Sequence, residues 1–290
     1  MQVFYICIGN VSLFVVFNYV TQNLKAMKSK LLLVMLALPM IMTSCSNDED
    51  ELALTRSYDP ETMTSRACFN MERPNDAYLY PVVPGTDEWS ALCDQGMDAV
   101  LKALRVPHST LRKMSTMGLI QTYLDYPFSG DLHFNNSSSQ FPFFLQTLEL
   151  DGTAPKDIFG ELKKRGDVET SIMTFYKSFI YNPNSLYSDL TFEHLNLLAS
   201  IDIFYKQLNT SEKKEFVKIA LEKAEMYADD SFWGTPYACF LIARLMYSEN
   251  YRPLVEAISK AKYGDSFLND MDMQFHEYNM ILSLGKEFIK

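Results

Sequence analysis

The chain has 290 residues and a formal charge of −10. Such an acidic body repels phosphate backbones, and no Lys/Arg stripe overrides the repulsion, which excludes nucleic acid as a partner. Hydrophobic residues make up 48% and aromatics 13%, led by 20 Phe and 17 Tyr. That balance suits an aromatic binding surface and a large helical core equally, in one or two domains.

In chain order, Val3–Val20 is apolar but interrupted by Gly9, Asn10, Ser12 and Asn18. Met27 stands where a start residue belongs, just before Lys28 and Lys30, so residues 1–26 read as an upstream extension from a misassigned start. A transmembrane helix is the alternative. Residues 27–44 have the layout of a secretory signal: two lysines, the apolar run Leu31–Met42, then the small residues Thr43 and Ser44. The run falls short of the roughly 20 apolar residues that a membrane helix needs.

Because Cys45 follows Ser44 directly, this segment resembles the bacterial lipobox, with Met42 in place of the commoner Leu. The resemblance implies cleavage between Ser44 and Cys45 and acylation of the Cys45 thiol by palmitate-type chains. Two chains give stable anchoring, at about 0.8 kcal/mol per buried methylene. Losing residues 1–44 removes three lysines and no carboxylate, so the mature charge becomes −13. The run Asp48-Glu49-Asp50-Glu51 resembles the acidic signal that sends Bacteroidetes-type lipoproteins to the cell surface. A solvated tether accounts for the same charges, since like charges keep a linker extended. The expected location is the outer membrane, lipid-anchored and on the cell surface, with the periplasmic face as the alternative. Residues 45–73 read as a lipidated tether and 74–290 as a single helical domain.

Within that domain Ala77–Val83 reads as a short extended stretch. Thr86 is a candidate N-cap, with Asp87 and Glu88 favouring the positive helix end, and Trp89, Leu92, Cys93, Val100 and Leu104 follow at helical spacing until Pro107. Ser115 starts a second helix that stops at Pro127, and residues 128–140 read as a loop. Shorter helices are predicted over 142–150, 155–165 and 168–181. Residues 188–208 carry two apolar stripes, which implies burial on more than one side. Residues 211–228 are amphipathic, with Phe216, Ala220, Ala224 and Tyr227 inward. PYACFLIARLMY (236–247) holds one charge, Arg244, and should be a central helix. Pro253 suits the first turn of a helix over 252–262. A last helix places Met271, Phe275, Tyr278, Leu282 and Gly285 on one face. The pattern predicts an all-α fold, either a multi-helix antiparallel bundle or a short irregular stack of helical hairpins.

The segments YPVVPGTDEW (80–89) and MSTMGLIQTYLDYP (114–127) resemble a group of uncharacterised exported lipoproteins of the Bacteroidetes type. The resemblance implies a helical, exported protein and brings no activity, ligand or catalytic residue.

Candidates for chemistry are few. Cys68, Cys93 and Cys239 leave an odd count, with a Cys68–Cys93 disulfide possible and Cys239 reading as a core thiol. His108, His133, His194 and His276 form no HExxH, and no Glu-x-x-His pair occurs. Glu193-His194 and His276-Glu277 could meet as a two-His, two-carboxylate site if their helices packed together, but a core histidine explains His194 better. Gly264-Asp265-Ser266-Phe267-Leu268 looks like a lipase serine block, yet Asp272 lies four residues from His276 rather than three, and a helix-capping loop explains it better. No metal, cofactor or catalytic residue is assigned. The leading expectation is a membrane-anchored binding or structural module with a glycan, peptide or protein ligand; the alternative is an exported hydrolase whose carboxylate and His groups are assembled by the fold.

Overall fold

The stretch Tyr237–Met246 organises the molecule. Apart from Arg244 it is apolar all round, and a helix of that kind has to be enclosed on every side. A computed structural model describes residues 4–8, 11–15, 68–128, 140–182, 186–227, 234–261, 264–271 and 275–290. Two units emerge, residues 1–59 and 60–290. In the first, β1 (Phe4–Ile8) pairs antiparallel with β2 (Val11–Val15), in a register that sets Ile6 opposite Leu13. Gly9 and Asn10 separate the strands in sequence, the residue types that two-residue hairpin loops favour. The transmembrane-helix alternative is therefore corrected over these residues, which are extended. No helix among the described residues is long and apolar enough to cross a membrane.

The second unit is all-helical. Its helices are α1 (Asp87–Cys93), α2 (Met97–Ala103), α3 (His108–Leu111), α4 (Thr116–Leu124), α5 (Gln140–Thr147), α6 (Ala154–Leu162) and α7 (Val168–Ser178). They continue as α8 (Leu186–Ala199), α9 (Asp202–Tyr205), α10 (Thr210–Tyr227), α11 (Gly234–Ser248), α12 (Arg252–Lys260), α13 (Gly264–Asp270) and α14 (Phe275–Phe288). The expected central helix is α11: α8, α10, α12, α13 and α14 all pack on it, and Ala238–Ala243 are fully buried. A second group sets α4 against α6, α7 and α8.

Several boundaries differ from the sequence reading. The helix expected from Asp87 to Leu104 breaks at Gly96, whose φ of 98° starts α2 in a direction that other residues rarely allow. The helix expected over 188–208 breaks after Ala199. There Ser200 Oγ bonds back to the Asn196 carbonyl at 2.8 Å and Ile201 is extended before α9. Gly264–Leu268, read as a helix-capping loop, belongs instead to the helix Gly264–Asp270, because Phe267 and Leu268 are buried. Met271 has φ 64° and precedes α14, whose buried face is instead Tyr278, Ile281, Gly285 and Phe288.

The tether does not extend to Arg73. Cys68 and Phe69 are buried, Phe69 bridges Phe179, and the Ile180 N–H donates to the Cys68 carbonyl at 2.7 Å. Capturing this segment also ends α7 at Ser178, three residues earlier than expected, because Phe179 must be extended to pair.

The residues behind the lipoprotein resemblance gather in one corner. Thr86 accepts from Trp89 N, and Tyr80 Oη donates to the Thr122 carbonyl at 3.1 Å. Ser115 caps α4 by accepting from Gly118 N at 2.9 Å, while its own N–H and hydroxyl donate to the two oxygens of Asp76 at 2.5 and 3.0 Å. A Cβ on Gly118 would overlap the Asp76 carboxylate. Gly118→Ala should therefore destabilise by about 1 kcal/mol, because displacing the cap outweighs the alanine's helix propensity. In an Asp76→Ala background the same change should reverse sign and stabilise by about 1 kcal/mol, as the propensity term then acts alone. Urea denaturation of the four variants checks this; equal effects in both backgrounds would show that Asp76 is not the reason for the glycine.

Candidate functional site

Two places in the fold collect polar chemistry. The first is α8, buried from Leu190 to Ser200 although it carries Thr191, Glu193, His194 and Asn196. Each of the last three meets a phenol. Tyr123 Oη lies 2.8 Å from His194 Nδ1, Tyr176 Oη donates to Asn196 Oδ1 at 2.6 Å, and Tyr237 hydrogen-bonds Glu193. Burial pushes the Tyr123, Tyr176 and Tyr237 phenols well up, so they stay protonated as donors. Such pairs fix how α4, α7 and α11 sit on α8, because an unpaired buried polar group costs about 1–3 kcal/mol.

The second place opens to solvent, at the end of α11 where Arg244 leaves the apolar core. A pocket of about 260 Å³ is lined by Asp202, Tyr205, Lys206, Arg244, Tyr247, Ser248, Leu268 and Asn269. The Arg244 guanidinium rests on an aromatic floor, 4.7 Å from the Phe141 ring centre, 5.2 Å from Phe240 and 5.7 Å from Tyr205. This arrangement favours a planar cation. Nη1 donates to the Leu268 carbonyl and Nη2 to Asp202 Oδ1, tying α13 and α9 to α11, while Nε is buried without an acceptor among the described residues. Asp202 is the hub. Its Oδ1 also accepts from Tyr205 Oη at 2.7 Å, and its Oδ2 pairs with Lys206 Nζ. Burial alone would raise the Asp202 carboxyl, but the bonds from Lys206 and Tyr205 and the Arg244 charge outweigh it and hold it below its ordinary value of 3.8. The ion pairs are therefore intact above the ordinary carboxylate range and are lost as pH falls through the depressed value.

The residues singled out from sequence fall differently. Ser44, Cys45, the run Asp48, Glu49, Asp50 and Glu51, His133 and Asp272 lie outside the described residues, as do the side chains of Asp265 and His276. His108 is exposed at the start of α3. Glu193, His194 and Glu277 are buried, and no group of three or more His, Cys, Asp or Glu that could hold a metal occurs among the described residues. Ser266 sits inside α13 rather than on a capping loop.

Cys68 and Cys239 are free thiols and no disulfide joins Cys93 to either of them, so the possible Cys68–Cys93 bond is absent. Burial pushes the Cys68 thiol up to about 11, against smaller lowering effects of Thr191 and Ser188, and pushes Cys239 well up. Since the thiolate is the reactive form, maleimide at neutral pH should label half-buried Cys93 in the native protein and reach Cys68 and Cys239 only after unfolding. Peptide mapping of the adducts checks this; native labelling of Cys68 as fast as Cys93 would contradict it.

Sequence reasoning missed the Asp202–Tyr205–Lys206–Arg244–Tyr247 group. The one available signal was the lone arginine in an otherwise apolar helix. Compared with known protein families, curated proteins and solved structures, the chain shows no significant match.

Proposed function

We propose that this protein is an exported lipoprotein, anchored at the outer membrane through acylated Cys45 and displayed on the cell surface, whose helical domain binds a glycan, peptide or protein ligand without transforming it. The anchoring rests on the order of lysines, apolar run and small residues before Cys45. The binding role rests on the pocket at Arg244: two cations, exposed Tyr247 and a small concave volume, arranged around a carboxylate that is already engaged. Asp202 accepts from Arg244, Tyr205 and Lys206 at once. A carboxylate held in this way is a poor general base, because its low pKa and filled lone pairs give it little hold on a substrate proton.

Mass spectrometry of the processed amino terminus tests the anchor: a diacylated Cys45 as residue one is expected, and an unmodified thiol or a retained leader would refute it. A thermal-shift screen of the full-length protein against glycans, peptides and divalent metals tests the pocket, because a ligand that prefers the folded state raises the melting temperature. The shift should disappear in Asn269→Trp, which places a large ring among the lining residues. The binding role falls if no class shifts the transition, or if every shift survives that variant.

A further inference from the structure

We infer that the ligand of this pocket is an acidic saccharide, a uronic acid unit whose carboxylate meets Lys206 and Arg244 and whose ring lies against Tyr247. The inference rests on the pocket being a binding site, as proposed above, and deepens it from the balance of donors and acceptors.

The hydrogen-bonding capacity that remains is mostly donor. Arg244 carries five N–H donors, and its carbonyl and carboxylate partners, Leu268 and Asp202, leave hydrogens on both terminal nitrogens uncommitted. Lys206 carries three, and its ammonium, on a side chain 60% exposed, meets Asp202. Tyr205 and Ser248 spend their hydroxyl protons on Asp202 and on the Leu245 carbonyl. Among the described lining residues Asp202 is the one carboxylate against two cations, so these residues carry a positive excess on a chain of net charge −10. A ligand that complements this brings acceptors and negative charge.

A saccharide is favoured over a bare anion by what surrounds the cations. Tyr247 is 49% exposed among the lining residues, an aromatic rim that an inorganic anion would leave unused. The C–H face of a pyranose packs on such a rim, while Ser248 Oγ, whose proton goes to the Leu245 carbonyl, can accept from a ring hydroxyl. The volume, about 260 Å³, sits just under the lower end of ordinary ligand pockets, roughly 300 Å³. It accommodates a sugar ring and not an extended chain.

Titration calorimetry of the full-length protein with trigalacturonic acid, its fully methyl-esterified form and a pentapeptide with a free C-terminus tests this. The ester keeps the rings and removes only the charge. The acid should bind about tenfold more tightly than the ester, the worth of one charge-assisted hydrogen bond. Lys206→Met should erase most of that difference, and Tyr247→Ala should weaken acid and ester alike. Both side chains are largely exposed, so the fold survives either change. Equal binding of acid and ester would overturn the acidic character and leave the pocket standing. Lys206-dependent binding of the peptide without the saccharide would overturn the sugar. Binding of none of the three would overturn the inference, and the binding role falls with it only if the wider thermal screen also finds no ligand sensitive to Asn269→Trp.

Discussion

Replacing Arg73 with methionine should destabilise the helical unit by about 3 kcal/mol, the scale for removing one partner of a buried ion pair. Arg73 Nη2 pairs with Asp125 Oδ2 at 3.0 Å, and the two side chains are only 16% and 8% exposed. The same guanidinium donates to the Ala77 carbonyl at 3.0 Å and to that of Tyr78 at 2.9 Å. One planar fork thus ties the incoming chain to the end of α4, where Gln121 holds the other Asp125 oxygen at 2.9 Å. Methionine fills the space but takes the Arg73 charge away from a carboxylate whose side chain is only 8% exposed. At about 2–4 °C per kcal/mol for a domain of this size, the melting temperature should fall by roughly 6–12 °C. Arg73→Lys should recover less than half of the loss, since a single ammonium cannot serve a carboxylate and two divergent carbonyls together. Calorimetry of the two variants and of Arg73→Met/Asp125→Asn checks this. A loss below 1 kcal/mol for Arg73→Met, or full additivity in the double variant, would show that the pair carries little.

This corner also shows where sequence reading stops. Thr86 and Ser115 were legible as helix starts because capping depends on residues three apart in sequence. The glycine of MSTMGL was not, because its reason is Asp76, brought back over α4 from the incoming chain. Arg73 looked like the end of a polar tether because its partner lies 52 residues further on. The enclosure of α11 and α8 could be read directly, since a helix without a polar face must be buried. The breaks at Gly96 and Ser200 could not: helical periodicity runs through both, and a glycine at positive φ in one case and a serine bonding back to the turn before in the other decide the geometry. The pocket was the least legible feature. Asp202 and Arg244 are 42 residues apart, and neither belongs to a motif. A lone arginine in an apolar helix signals a buried cation that needs an anion, but it does not say which.

The aromatic floor beneath that arginine gives the other large effect. Phe240 is fully buried, 4.9 Å between ring centres from Phe141, and forms part of the surface on which the Arg244 guanidinium rests. Phe240→Ala should cost about 3–5 kcal/mol, the transfer and cavity terms for a fully buried ring, and denaturant unfolding measures it. Phe240→Leu separates packing from electrostatics. It keeps most of the volume, so its cost should stay near 1–2 kcal/mol, yet it removes one ring face from the cation, worth about 0.5–2 kcal/mol. If the floor serves only the core, Phe240→Leu will bind ligand as the native protein does. If the floor sets the guanidinium where Asp202 and the ligand both find it, Phe240→Leu will fold, keep its helical circular dichroism and still bind several-fold more weakly. The second result is expected, because among the described residues it is these rings, the Leu268 carbonyl and Asp202 that anchor Arg244. Unchanged affinity in a folded Phe240→Leu protein would separate the core from the pocket and leave the ring with a packing role alone.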